Sequence, residues 1–308
     1  MIRSFFQRER PDSKDTIQMT TEYDRILLFV ILALMGIGLV MVYSASIVTA
    51  EHGFNDEAFF LKRQLVYAGC ALGIMTLAIN VHYGIYKRFH WAIFAFAFIL
   101  LAMVLVPALA IKAKGAVRWV GYGPLRYQPS EGMKLAWVVF LAAFLSNRQA
   151  YLHRWKKSWL LPTVFLGAIS VLLIVQKDLG TTVICTALLL LMIFAAGARL
   201  VHMGGAVLVG IGAIATLVIC EPYRVRRLLS FLEPEMHRQG DSWQLYQALI
   251  SFGSGDWFGL GLGASHQKLS YLPEAHTDFV FSILGEELGL VGVAVVIVLF
   301  AILVWRGF

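Results

Sequence analysis

Charge is what this sequence has least of. Only 15% of its 308 residues are Asp, Glu, Lys or Arg, where a soluble globular domain carries about 25%. That shortage excludes a water-facing surface over most of the chain. Proline is sparse at eight residues, and cysteine sparser at three. Cys70, Cys185 and Cys220 lie in or at the end of apolar runs, without metal-ligand spacing, so no disulfide framework is expected and they read as small buried hydrophobes. Acidic residues are outnumbered, 19 against 26 basic ones, for a formal net charge of +7. The basic residues are scattered through short loops, so nucleic acid is not an expected partner. An anionic membrane surface or an anionic substrate fits equally well. No cleavable signal is expected either, because residues 1–25 form a polar head and the apolar run behind it is too long for a signal core.

What the chain has in quantity is apolar sequence, at 59% hydrophobic residues and a mean hydropathy of +0.72. Its apolar stretches reach the ~17–25 residues that a membrane-crossing helix needs. The expected fold is all-α, a polytopic helical membrane protein with a cytosolic tail over 1–25 and a single transmembrane domain over 26–308. Eight spans are expected, near 26–45, 64–80, 91–110, 131–145, 159–175, 181–196, 200–220 and 276–305. Gly36 and Gly38 in the first offer close helix approach. Basic short loops at Lys87-Arg88, Arg148 to Lys157 and Arg199 place those turns and the N-terminus in the cytosol. The loops 46–63, 111–131 and 221–275 are then on the outer side. No internal repeat is visible.

Chemistry has few places to reside. Arg118, Arg224, Arg226 and Arg227 in the outer loops suit an anionic headgroup, because a guanidinium makes paired, charge-assisted hydrogen bonds to phosphate. The plainer reading is snorkelling to ordinary lipid phosphates. Lys177-Asp178 sits in a five-residue turn between two spans, where a capping salt bridge and a substrate contact are equally compatible. Glu286-Glu287 lies inside the last apolar run. The two point to different helix faces, and at least one is expected to face inward and meet a base or a hydroxyl. The large loop supplies Glu233, Glu235, His237, Asp241, Asp256, Glu274, His276 and Asp278 as acids and bases. Its glycines, Gly253 through Gly263, let the backbone turn tightly or re-enter the membrane against other helices. Nucleotide binding is rejected, since GxxxxGK[ST] is missing and Lys268 falls too late. Glu274, His276 and Asp278 lack specific metal spacing. No cofactor is required by the sequence, though a divalent cation is compatible with it.

Four separated segments resemble one family. Gly115-Ala-Val-Arg-Trp119, Gln128-Pro-Ser-Glu131 with Lys134, Gln176-Lys-Asp-Leu-Gly180, and Gly261-Leu-Gly263 followed by Tyr271-Leu-Pro-Glu-Ala-His-Thr-Asp-Phe279 are similar to the SEDS family (shape, elongation, division and sporulation) along the whole chain. Glu274-Ala-His-Thr-Asp278 is closer to the cell-division branch than to the rod-elongation branch, where arginine commonly replaces that alanine. The resemblance implies a bacterial inner-membrane peptidoglycan glycosyltransferase that polymerises lipid II, an undecaprenyl diphosphate-linked disaccharide-pentapeptide, outside the membrane at the septum. It implies a class B penicillin-binding protein and other divisome membrane proteins as partners. It also makes Arg118, Lys177, Asp178, Glu274, His276 and Asp278 candidate cavity residues, beside Arg224 and Arg227, already singled out as candidate headgroup contacts.

Two features depart from the family. Its usual aspartate lies in a segment like Asn-Pro-x-x-Asp-Pro-x-Gly-x-Gly-Tyr-Gln, but here Glu233-Pro-Glu-Met-His-Arg-Gln-Gly-Asp-Ser-Trp-Gln244 places His237 at that position. Three readings compete: His237 acts as the base, Asp241 reaches the site from a loop displaced by about one turn, or the protein is a non-catalytic scaffold that recruits and activates the penicillin-binding protein. A precursor transporter ranks below these, because no inverted repeat supports alternating access. The second departure is length, with eight spans against a usual ten.

Overall fold

The computed structural model describes residues 24–107, 110–113, 116–122, 125–148, 159–197, 200–220, 222–232, 242–267 and 277–307. Within them the chain forms helices α1 (Arg25–Phe54), α2 (Phe59–Asn80), α3 (Tyr83–Met103), α4 (Pro129–Ser146), α5 (Leu160–Val175), α6 (Leu179–Ala195), α7 (Leu200–Ile219), α8 (Pro222–Leu232), α9 (Trp243–Ser254) and α10 (Val280–Gly307). Strands β1 (Ala110–Ala113), β2 (Ala116–Tyr122) and β3 (Leu125–Tyr127) lie between α3 and α4. The eight expected spans correspond to α1–α7 and α10. Of these, α1, α3 and α10 are long and apolar enough to cross a membrane by length and composition, while α5 and α6 are shorter apolar helices.

Several boundaries differ from the sequence reading. The basic Tyr86-Lys87-Arg88 lies inside α3 rather than before it, because His82 starts that helix by accepting the Gly84 N–H at 3.0 Å. The segment expected as a loop over 111–131 is mostly an antiparallel sheet of order β1-β2-β3. The large loop contains α8 and α9.

Contacts group the chain into two compact units, Met1–Ala71 with Glu233–Phe308, and Leu72–Leu232. In the first, α1 and α10 run antiparallel and are pinned at two levels. Asp24 caps α1 by accepting the Ile26 and Leu27 N–H groups at 2.9 and 3.1 Å. Its other oxygen takes Arg306 at the end of α10, at 2.7 Å from Nε and 2.5 Å from Nη2. Deeper in, Ser44 of α1 donates to Glu287 of α10. Asp24 and Ser44 are 20 residues apart and Glu287 and Arg306 are 19 apart. These near-equal spacings let both pins join the same antiparallel pair. Met41 and Ala45 pack on Ile283, Leu284 and Val296 around the deeper pin.

The helix α10 is broken at Gly289, whose φ of +65° and ψ of −165° lie outside the helical region. In an unbroken helix Leu290 and Val291 would donate to the carbonyls of Glu286 and Glu287. Instead they donate to Asp256 and Trp257 at 2.9 and 3.1 Å, and the two vacated carbonyls accept Leu260 and Gly261 at 2.9 and 3.1 Å. The glycine segment therefore repairs the break bond for bond. This backbone approach leaves no room for side chains. A Cβ on Gly255 would lie 2.0 Å from the Gly285 carbonyl, and one on Gly259 would lie 2.1 Å from that of Glu287. The glycines here do pack backbone against helix, as expected. Gly36 and Gly38 do not: a Cβ at either meets nothing within 4 Å among the described residues, so they provide no close helix contact.

The second unit is built around aromatic rings. Phe140 of α4 packs with Phe94 and Trp91 of α3 at centroid distances of 4.7 and 5.0 Å, and with Phe165 of α5 at 5.6 Å. Trp137 Nε1 donates to the Cys185 carbonyl at 3.1 Å, joining α4 to α6 without leaving a buried donor unmet.

Gly259→Ala adds the cost of a side chain at φ +78° to a backbone clash, and should destabilise by about 2–4 kcal/mol, read as a lower thermal midpoint in detergent. Gly36→Ala should be neutral or stabilising by about 0.5–1 kcal/mol. The Leu27 N–H and, after it, Arg306 hold the Asp24 carboxyl below the usual carboxylate value. Its contribution is therefore complete above the ordinary carboxylate pKa and is lost as pH falls through the depressed one. Thermal melts should show this acid step at strongly acidic pH, and Asp24→Asn should remove it.

Candidate functional site

Two polar clusters interrupt the apolar helices, one in each unit. In the second unit the chain leaves α5 through Gln176, Lys177 and Asp178 and enters α6. Lys177 takes a left-handed conformation with φ +58°. The Lys177 N–H donates to Ile174 and the Asp178 N–H to Leu173, both at 2.9 Å. This is the helix-ending arrangement that usually has glycine at its left-handed position. Lysine there carries a conformational cost of about 1–2 kcal/mol, a strain that the turn holds in place.

Asp178 is buried and directed into α6. Its two carboxylate oxygens accept the Thr181 N–H at 3.2 Å and the Thr181 hydroxyl at 2.8 Å, and its carbonyl accepts the Thr182 hydroxyl at 3.0 Å. It is an N-cap, not the partner of Lys177, so the salt bridge considered from sequence does not form. Lys177 is exposed.

Arg118 arrives from the sheet. On β1 and β2, Ile111 pairs with Trp119 and Lys112 with Val117. Arg118 is thus the extra residue of a β-bulge, a feature that redirects a side chain out of the regular alternation. Its guanidinium donates to the carbonyls of Lys177 and, at 3.4 Å, Gln176. These are the carbonyls at the negative end of α5, where a cation is favoured. Two of five N–H donors are used, and no carboxylate pairs with Arg118 or Lys177 among the described residues. The Gln176 side chain is buried beneath, donating to the Leu101 carbonyl at 3.0 Å, while its Oε1 has no partner among the described residues. The sequence-predicted trio Arg118, Lys177 and Asp178 is brought together, with two cations outward and the acid inward. Nearby, Lys134 bridges Glu131 at 2.8 Å.

The other cluster is in the first unit. Glu286 and Glu287 are both fully buried, which settles the question of which faces inward: each finds a different set of donors. The Ser44 hydroxyl lies 2.6 and 2.8 Å from the two Glu287 oxygens. Glu286 accepts the Ser265 hydroxyl at 2.6 Å, the His266 N–H at 2.9 Å and the Ser251 hydroxyl at 3.4 Å. Neither serine nor backbone partner was legible in the sequence, because serine within or beside apolar stretches has no distinguishing spacing.

Asp278 is exposed in the turn before α10. Arg224 and Arg227 lie on α8, beside exposed Arg226. His237, Asp241, Glu274 and His276 lie outside the described residues.

These helices, crossing lengths and buried polar turns define a polytopic helical membrane protein. The family model for cell cycle proteins of the FtsW/RodA/SpoVE group matches residues 25–308, and the chain belongs to that family. It is 40% identical to stage V sporulation protein E of Bacillus subtilis, over 93% of this chain and 78% of that one. It is 42% identical to the probable peptidoglycan glycosyltransferase FtsW of Trichlorobacter lovleyi, over 92% of this chain and 75% of that one. Among solved structures, a chain of a peptidoglycan synthase complex that coordinates polymerization and crosslinking aligns at TM-score 0.69 and 26% identity, covering 92% of this chain and 77% of that one. The rod shape determining protein RodA of Thermus thermophilus aligns at 0.64 and 27%, covering 92% and 74%.

Asparagine caps a helix about as well as aspartate, whereas alanine costs about 1 kcal/mol. Asp178→Asn should therefore keep the melting temperature of the purified protein while Asp178→Ala lowers it. Arg118→Ala should cost about 1–3 kcal/mol by stripping two carbonyls of a charged donor, and Arg118→Lys should recover only part, since one ammonium cannot span both positions.

Proposed function

We propose that this protein is a peptidoglycan glycosyltransferase that polymerises lipid II on the outer face of the bacterial inner membrane, in septal wall synthesis and with a class B penicillin-binding protein as partner. The observation that carries the reading is the turn at Arg118 and Lys177. Two cations project there from fixed backbone positions, and the adjacent carboxylate is turned into a helix cap. The relatives named as glycosyltransferases supply the reaction class, and the synthase-complex neighbour supplies the kind of partner.

The chemistry divides into parts. Glycosyl transfer from lipid II expels an anionic diphosphate. Arg118, through its unused N–H donors, and Lys177 are assigned to charge developing on that leaving group. Arg224 and Arg227 on α8 are assigned to the same headgroup chemistry. The acceptor hydroxyl needs a base, assigned to Asp241, or to His237 at the position where the family pattern has aspartate. Glu274, His276 and Asp278 are assigned to sugar and headgroup contacts. The lipid tail needs an apolar groove. One of about 480 Å³ lies in the second unit along α2, α3 and α4, lined among others by Ala78, Phe96, Leu100 and Leu135, with Tyr86 and Tyr127 at its edge. A single displacement inverts the anomeric centre. In this reading the N-terminus and the basic short loops are cytosolic, by the positive-inside tendency.

A non-catalytic scaffold is the second reading, favoured by the histidine at position 237. Purified protein with its cognate penicillin-binding protein and lipid II should yield glycan chains. Asp241→Ala should then abolish polymer while His237→Ala leaves it within about tenfold, given the usual 10²–10⁴-fold effect of a general base. Loss with His237→Ala alone moves the base there. Normal partner binding with no polymer from the unaltered protein makes it a scaffold.

A further inference from the structure

The buried carboxylate of Glu286 has no place in the scheme above. It lies where three pieces of the first unit meet. Ser251 belongs to α9, Ser265 and His266 to the segment after the glycines, and Glu286 itself to α10 beside the break. Every polar contact of Glu286 is an accepted hydrogen bond, two from hydroxyls and one from a backbone N–H. Beside it, the Glu286 carbonyl accepts Leu260, so one residue holds the returning chain through backbone and side chain together.

The two elements held this way flank the chemical part of the loop. Asp241 lies two residues before α9 and His237 four residues further back. Glu274 and His276 follow His266 by eight and ten residues. We propose that Glu286 is a positioning residue for the glycosyltransfer reaction, fixing α9 and residues 260–266 to α10 and so setting the points from which the loop's acids and bases extend. The proposal rests on the glycosyltransferase reading. The carboxylate's hydrogen bonds are all to groups of the protein itself, so its loss is expected to act on turnover through orientation rather than on affinity. Glutamine is a close structural substitute. Its carbonyl can accept the His266 N–H while its amide donates to the serine hydroxyls, which accept as readily as they donate.

The test compares variants in two readouts, polymerisation of lipid II by the complex with its penicillin-binding protein, and amide hydrogen exchange over residues 260–266. Glu286→Ala is expected to speed exchange there at least about tenfold and to lower kcat by about 30-fold or more, with KM changed by less than about threefold. Ser265→Ala, removing the shortest contact, should show a smaller loss of the same kind, and Ser251→Ala, removing the longer contact to α9, a smaller one still. Glu286→Gln should retain most of kcat and of the protection. Unchanged exchange in Glu286→Ala, a loss in KM alone, or a glutamine variant as inactive as alanine overturns the proposal. If unaltered protein makes no polymer, the glycosyltransferase reading fails instead, and the exchange data alone decide whether Glu286 holds the segment.

Discussion

A peptide group left without a hydrogen-bond partner in apolar surroundings costs several kcal/mol, and α10 is organised by that requirement. A chain that breaks a helix at Gly289 frees two carbonyls and two N–H groups at once. Here all four are met again by residues 256–261, which have to approach along the broken edge with the spacing of backbone atoms. Only glycine admits such an approach at positions 255 and 259. The local chemistry of the segment, its re-entry and the site of the break are thus one feature.

The turn between α5 and α6 meets the same requirement by other means. A helix that ends in an apolar setting leaves its last carbonyls exposed. With Lys177 left-handed, the backbone N–H groups of Lys177 and Asp178 satisfy those of Ile174 and Leu173, and Arg118 covers those of Gln176 and Lys177 from a neighbouring sheet. The cations are therefore held by structural bonds that exist before any ligand arrives. Preorganised donors of this kind need little rearrangement when charge develops nearby. The bulge matters in this respect, because strict alternation along β2 would send the side chain of residue 118 with those of its even-numbered neighbours.

How much of this was legible follows from the residues themselves. Apolar runs gave α1–α7 and α10, because such helices depend on local sequence alone. The short sheet was not legible, since Ile111 to Tyr127 mixes lysines, glycines and aromatics without a sustained alternation. For Asp178 a salt bridge and a substrate contact were equally compatible, whereas an aspartate immediately before an apolar run is itself an N-capping signal. The glycine segment was recognised as a place of close backbone approach, but its partner, residues 285–291 of α10, is a long-range match that no local pattern encodes. The serines around Glu286 and Glu287 were missed for the same reason.

The two glutamates are hard to account for by stability alone. Burying a carboxylate carries a penalty of several kcal/mol per ion even after the protein relaxes, and well-packed apolar residues in such places are often as stable or more so. A leucine at 286 would suit an apolar helix better if the helix had only to cross a membrane. What leucine cannot do is select one arrangement of polar donors over all others. Ser265, His266 and Ser251 have three different origins on the chain, and a carboxylate with two acceptor oxygens satisfies them together only when α9, the returning segment and the α10 break are in register. An apolar side chain would tolerate sliding by a few tenths of an ångström, but hydrogen bonds of 2.6 and 2.9 Å do not. The carboxylate trades stability for a single geometry, and that geometry governs the ends of the segments to which the acid–base chemistry is assigned.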